Sequence, residues 1–282
     1  MKRYTPVPMA FVCVQPETKC KEEPPLIFLH GITGSKLRWK NISQEVANAT
    51  ERKVYVVDAR NHGDTEWCDD DFDFDTYAND LLHFMDFIGA PKATLVGHSM
   101  GGKIAIRTAL TAPERVDKLV IEDMFVKKTT KSMLDAVLRY IEWTKEAVEL
   151  IPLDAGESTA QKIIEDYLYD KSPGENKTPR PDKPSLIHLK RTSDGRYKHS
   201  CNLDVIAKAL RNTVGTVNIG EYRGPAAFIY GEKSPYLVRD DEENIITCFP
   251  NAEFVKIENA GHEVHGEFPE EFIKALLEFL MK

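Results

Sequence analysis

Between Ala93 and Ala105 the chain reads Ala-Thr-Leu-Val-Gly-His-Ser-Met-Gly-Gly-Lys-Ile-Ala. An apolar run rich in β-formers meets a glycine-flanked serine and passes into helix-forming residues. A strand, a tight turn and a helix in that order leave few folds open, because the strand must be buried and the helix must pack back against it. Gly97 and Gly101 flank Ser99 at the G-x-S-x-G spacing. A residue at the apex of so sharp a turn takes a strained backbone, and neighbours without a β-carbon let strand and helix approach. The helix N-terminus then directs free N–H groups toward the serine oxygen. The pentapeptide alone is weak evidence. Its place between a buried strand and a helix makes Ser99 a candidate nucleophile.

The rest of the chain supports a sheet of the same kind. Residues 7–14 read as an edge strand, with prolines only at its start. Leu26-Ile27-Phe28-Leu29 is a continuous apolar run, as in a buried parallel strand, and ends in His30-Gly31-Ile32. Residues 53–58 are the next strand, followed by the polar loop Ala59-Arg60-Asn61-His62-Gly63-Asp64. Asp and Asn turn and cap backbone readily, so this loop, His62 included, reads as structural. Phe74, Tyr77, Ala78, Leu81, Leu82, Met85 and Ile88 form the apolar stripe of a helix ending at Gly89. Residues 118–123 are a further buried strand with two terminal carboxylates. The alternation predicts a mostly parallel, doubly wound sheet.

Past Phe125 the rhythm changes. Residues 131–150 and 159–169 read as helices, 171–184 as a loop, and no buried strand follows until Ala226. This predicts a core of residues 1–124 and 204–282 with a helical cap, 125–203, inserted over it to shape an acyl pocket and gate access. Residues 226–230 and 253–257 are the last strands. Pro269 opens a closing helix marked by Phe272, Ile273, Leu276, Leu277 and Leu280.

A serine needs a base, and imidazole suits neutral pH. His262 lies in a Gly-His loop after the last strand; His265, three residues on, competes with it. The acid is open. Asp123 ends the strand after the elbow helix, Asp204 follows the cap, Glu232 ends the next-to-last strand, and Ser234 could relay in an acid-poor site. The order Ser, acid, His is that of the α/β-hydrolases, which also place an oxyanion donor where a strand runs into His-Gly. The backbone N–H groups of Ile32 and Met100 are the expected pair. Such chemistry requires no metal and no organic cofactor.

Composition narrows the partners. At 282 residues, the chain can form one large α/β domain or one carrying an insertion. A net charge of −8 argues against general nucleic-acid binding. No apolar run reaches the roughly 18–20 residues of a transmembrane segment. The first residues resemble neither a signal nor a transit peptide. Five scattered cysteines fit a reduced, intracellular compartment such as the cytoplasm.

The segments 30–36, 57–64, 97–103 and 260–262, with 202–204 and 231–236, together resemble the family of α/β-hydrolase domain-containing protein 11 and its bacterial esterase relatives. Asp-Ala-Arg-Asn-His-Gly is the most specific of them. The resemblance implies the α/β-hydrolase fold and a serine ester hydrolase of lipid-like or short-chain esters, with diacylglycerol cleaved at the sn-1 position. It implies an acid matching either Asp123 or Asp204. Asp123-Met124-Phe125 stands where that family tends to carry an Ile-Ser-Pro-type turn, so an altered cap entrance is expected. The resemblance adds the mitochondrion as the alternative compartment, but the long N-terminal extension tied to mitochondrial import in animal members is not in this sequence, which leaves the choice between cytoplasmic and mitochondrial open. A non-hydrolytic ligand-binding protein and a complex-stabilising scaffold are the competing readings. A dehalogenase or epoxide hydrolase would need a carboxylate in place of Ser99.

Overall fold

The computed structural model describes residues 5–69, 72–172, 187–213 and 218–282. Its strands are β1 (Phe11–Val14), β2 (Leu26–Leu29), β3 (Val54–Val57), β4 (Ala93–His98), β5 (Val116–Glu122), β6 (Leu189–Arg191), β7 (Tyr197–His199), β8 (Ala226–Gly231) and β9 (Ala252–Ile257). Seven of them form one sheet in the order β1-β3-β2-β4-β5-β8-β9. β1 runs antiparallel to β3, and every other pairing in this sheet is parallel. The expected mostly parallel, doubly wound sheet is present. The prolines before β1 are tolerated because it is an edge strand.

The helices are α1 (Lys40–Thr50), α2 (Phe74–Phe87), α3 (Met100–Thr111), α4 (Lys131–Glu149), α5 (Glu157–Lys171), α6 (Leu203–Arg211), α7 (Glu242–Cys248), α8 (Val264–Glu267) and α9 (Pro269–Leu280). Side chains along a strand point alternately to opposite faces, and the two faces build two cores. Ile27, Leu29, Leu95, Leu119, Ile121 and Phe228 pack with α2, α3 and α6. Leu26, Phe28, Val96, Val120, Ala227 and Ile229 pack with α1 and α9. Burial on both faces explains why these strands read as unbroken apolar runs.

Between β5 and β8 the chain leaves the sheet as α4, α5, the antiparallel β6–β7 hairpin and α6. Residues 131–149 and 157–171 are the two expected helices. The expected loop over 171–184 lies, from residue 173 onward, outside the described residues. The hairpin and α6 were not foreseen. Three-residue strands carrying Lys190, Arg191 and Lys198 show too little alternation to register as strands. α6 opens on Asn202, whose side chain accepts the Val205 N–H at 3.4 Å. Ala147, Ala160, Ile164, Ile187 and Leu189 form a small core of their own, apart from the sheet.

The tightest packing is at the elbow. A β-carbon on Gly97 would collide with the Gly101 carbonyl, and one on Gly101 with the Leu29 carbonyl. Both contacts are with backbone and cannot be relieved by a rotamer change. Gly101→Ala is therefore expected to cost about 1–3 kcal/mol of stability, read as a lower urea midpoint at unchanged m-value.

Candidate active site

Ser99 follows β4 directly and serves as N-cap of α3, with φ 52° and ψ −114°. A non-glycine residue there is strained, and strain of this kind persists only where the surroundings enforce it. The Ser99 N–H donates to the Glu122 carbonyl at 3.1 Å, and the Gly101 N–H to the His30 carbonyl at 3.1 Å. These bonds tie the elbow to the ends of β5 and β2.

The structure brings Ser99, His262 and Asp123 into one hydrogen-bonded line. The Ser99 hydroxyl donates to His262 Nε2 at 2.9 Å. His262 Nδ1–H donates to Asp123 Oδ2 at 2.6 Å. Asp123 is wholly buried and, like Ser99, sits at positive φ, 49°. Its other partners are the Gly231 N–H at 3.1 Å on Oδ1 and the Ser234 hydroxyl on Oδ2. Burial opposes charge on His262, but the bond to Asp123 and its charge outweigh it, with help from Glu263 and Glu122. The imidazole pKa is therefore held above the ordinary 6.5.

The other acid candidates lie elsewhere. The Asp204 side chain is 81% exposed and paired with Lys145 at 2.8 Å. Glu232 is exposed, bonded to Lys256 at 3.0 Å and to the Asn259 N–H at 3.1 Å. Ser234 does not replace an acid; it donates to Asp123. His265 turns away from the serine, its Nδ1 on Glu122 Oε1 at 2.8 Å.

Ile32, Met100 and Ser99 line one cavity. Met100 is the first residue of α3, so its N–H has no acceptor inside the helix. Ile32 is held by the polar loop after β3. His62 lies between two backbone carbonyls, its Nδ1 2.7 Å from that of Arg60 and its Nε2 2.7 Å from that of Ile32; burial lowers its pKa, and the neutral ring donates to one of the two. His62 thus has a structural place, as its loop context suggested. Beside it Arg60 makes a buried bidentate pair with Asp80, at 2.8 and 2.9 Å. Asp58 accepts the Lys36 and Asp64 N–H groups at 2.6 and 2.9 Å. A β-carbon on Gly63, at φ 54°, would overlap that carboxylate, which accounts for the glycine in Asn-His-Gly.

Two features were not legible in the sequence. The Tyr236 ring stacks on His262, centroids 4.1 Å apart, and burial, with the charge of Asp123, pushes its hydroxyl up to about 12. Behind the line, His98, Glu122 and His265 place three donor atoms within 4.8 Å of one another, all buried. These are the residues, among those described, with which a metal ion could be held. Their atoms are already engaged: Glu122 takes the His265 backbone and ring N–H at 2.8 Å each. His98 Nε2–H donates to the His262 carbonyl at 3.0 Å, which braces the loop carrying the imidazole.

The cavity over Ser99 is partly open, its roughly 530 Å³ of empty space including open solvent. Phe74, Met124, Phe125, Met133, Leu134, Val137 and Leu210 supply most of its wall, and Lys103, Thr129, Thr213 and Tyr236 stand with Ser99 among its polar residues. No helix among the described residues is long and apolar enough to cross a membrane.

Comparison with known proteins agrees with this architecture. A family profile of the alpha/beta hydrolase fold matches residues 24–269. The chain is 35% identical over 257 residues to the sn-1-specific diacylglycerol lipase ABHD11 of Danio rerio, covering 91% of this chain and 78% of that one. It is 30% identical to Ethanol acetyltransferase 1 of Cyberlindnera jadinii, covering 97% and 86% of the two chains. Among solved structures, a marine microorganism esterase superposes with a TM-score of 0.75 at 29% identity, over 97% of this chain and 99% of that one. With a serine at a strained elbow, an imidazole and a carboxylate in line with it, and relatives of this kind along nearly its whole length, the chain belongs to the α/β-hydrolase family, with the ABHD11 proteins, and is a carboxylic ester hydrolase.

Proposed function

We propose that the chain hydrolyses lipid-like carboxylic esters through an acyl-enzyme on Ser99, with His262 as base and Asp123 as the acid of the triad. The observation that carries this reading is the unbroken line from the Ser99 hydroxyl through His262 to a buried carboxylate. His262 Nε2 takes the hydroxyl proton as Oγ attacks the ester carbonyl carbon. The carbonyl oxygen becomes an oxyanion facing the N–H groups of Ile32 and Met100, and losing one such donor typically costs about 10²–10³ in rate. When the intermediate collapses, His262 returns its proton to the leaving alcohol. Water then attacks the acyl-enzyme, again giving its proton to His262, which passes it to Ser99 Oγ as the C–Oγ bond breaks and the acid departs. Asp123 keeps the proton of neutral His262 on Nδ1, so that Nε2 faces the serine.

The substrate class follows from the wall and the relatives. Methionine, phenylalanine and leucine side chains around Ser99 suit an acyl chain, and ABHD11 relatives are named sn-1-specific diacylglycerol lipases. Residues 125–203 act in this reading as the cap, since Phe125, Thr129, Met133, Leu134 and Val137 close one side of the cavity.

Ser99→Ala is expected to abolish both turnover of a short p-nitrophenyl ester and labelling by a fluorophosphonate probe; labelling that survives the change would reject Ser99. For pH, the working base is the neutral imidazole. Because its pKa is raised, kcat/KM should climb with pH through a midpoint above 6.5. Asp123→Asn removes the bond and charge that raise it while burial still lowers it, so the limb should move to lower pH and the plateau fall by roughly 10⁴. Asp204→Asn should change neither, and a loss there equal to that of Asp123→Asn would reassign the acid.

A further inference from the structure

The acyl-transfer steps leave one half-buried charge in the cavity unused. Lys103 lies one helical turn beyond Ser99, its N–H on the Ser99 carbonyl at 3.0 Å, and its side chain lines the same cavity as the serine. Its ammonium donates to Thr129 Oγ1 at 2.6 Å. It also lies over the rings of Phe125 and Phe74, 4.8 and 5.9 Å from their centroids. An ammonium has three donors, and Thr129 takes one. Among the described residues Lys103 has no ion pair.

Asp241 is the acidic group whose field it feels, but that carboxylate is spent on other donors. It accepts the Val126 and Lys127 N–H groups at 2.7 and 2.9 Å and the Asn244 amide at 2.7 Å. Burial brings the Lys103 pKa down to about 8, against the pull of Asp241.

A half-buried cation with no carboxylate beside it gains from an anionic partner that shares its cavity. A saturated acyl chain would press its methyl end on the ammonium and pair with nothing. A carboxylate at that end would accept from the ammonium and neutralise its charge, forming the stronger, charge-assisted kind of hydrogen bond. The helix rises about 6 Å over these four residues, so the bridging chain is short. Phe74, Met124, Phe125 and Leu134 would hold its methylenes.

Resting on Ser99 as nucleophile, we propose that Lys103 determines specificity and that the favoured acyl group is a short chain ending in a carboxylate, the acyl half of a dicarboxylic acid monoester.

The test pairs two esters with acyl chains of equal carbon number, mono-4-nitrophenyl adipate and 4-nitrophenyl hexanoate, on wild type, Lys103→Met, Lys103→Arg and Ser99→Ala. Wild type should favour the adipate in kcat/KM. Lys103→Met should shift the adipate-to-hexanoate ratio toward hexanoate by about 10–100-fold, the worth of a hydrogen bond to a charged group. Lys103→Arg should restore part of the preference. A wild-type preference for hexanoate, or a ratio unmoved in Lys103→Met, overturns the assignment, and the wild-type measurement decides even if Lys103→Met does not fold. Equal loss of both esters in Lys103→Met marks a structural lysine and also overturns it. Hydrolysis of neither ester by wild type, or equal hydrolysis by Ser99→Ala, defeats the nucleophile itself, a result distinct from Ser99-dependent turnover that ignores the carboxylate.

Discussion

The backbone contact between β4 and α3 is the constraint from which the site follows. Gly97 and Gly101 meet with no room for a β-carbon, and that closeness forces Ser99 to φ 52° at the apex between them. The same closeness puts the Gly101 N–H on the His30 carbonyl and so draws the end of β2 to the elbow. The residues after His30, with Ile32 among them, then stand beside the serine. Met100, as first residue of the helix, keeps its N–H directed outward. One packing contact thus sets a hydroxyl and two candidate donors at once.

Strain at the elbow has a counterpart across the sheet. Asp123 also sits at positive φ, at the end of β5, the next strand over from β4. Its backbone N–H is tied to Ile229 of β8, and its carboxylate is held by Gly231 and Ser234 from the segment that ends β8. Two strained residues on adjacent strands are supported by cores on both faces of the sheet. The rigidity matters because the line from hydroxyl to carboxylate spans three separate chain segments. Small shifts in any of them would break it, and preorganised geometry is what such chemistry relies on.

Much of this was legible because it is local. The elbow follows from spacing, the buried strands from unbroken apolar runs, and His262 from a glycine-led loop after the last strand. Which carboxylate faces the imidazole was not legible, because the three candidates differ only in where their strand ends or loops point in three dimensions. Asp204 falls in the first turn of α6 and meets Lys145 from α4, a pairing that residue spacing does not reveal. Glu232 occupies a place as plausible in sequence as Asp123 but turns outward to Lys256. Tyr236 and the His98–Glu122–His265 group came into view only with the fold, since each depends on segments distant in sequence meeting behind one imidazole. The β6–β7 hairpin is too short for any period to register.

The charges fully or partly withdrawn from solvent divide into two kinds, and the division is informative. Arg60 is satisfied by Asp80 in a bidentate pair, Glu122 by two N–H groups of His265, and Asp241 by three donors. Each of these holds a loop: the turn after β3, the segment carrying His262, and the start of the excursion after β5. Lys103 differs in having a hydroxyl and two aromatic faces instead of a carboxylate. Cation–π contact and one neutral acceptor do not neutralise the ammonium as a carboxylate would. A fold that pairs its fully buried charges, yet sets this half-buried one beside its strained serine without a carboxylate, suits an anionic group on whatever enters the cavity.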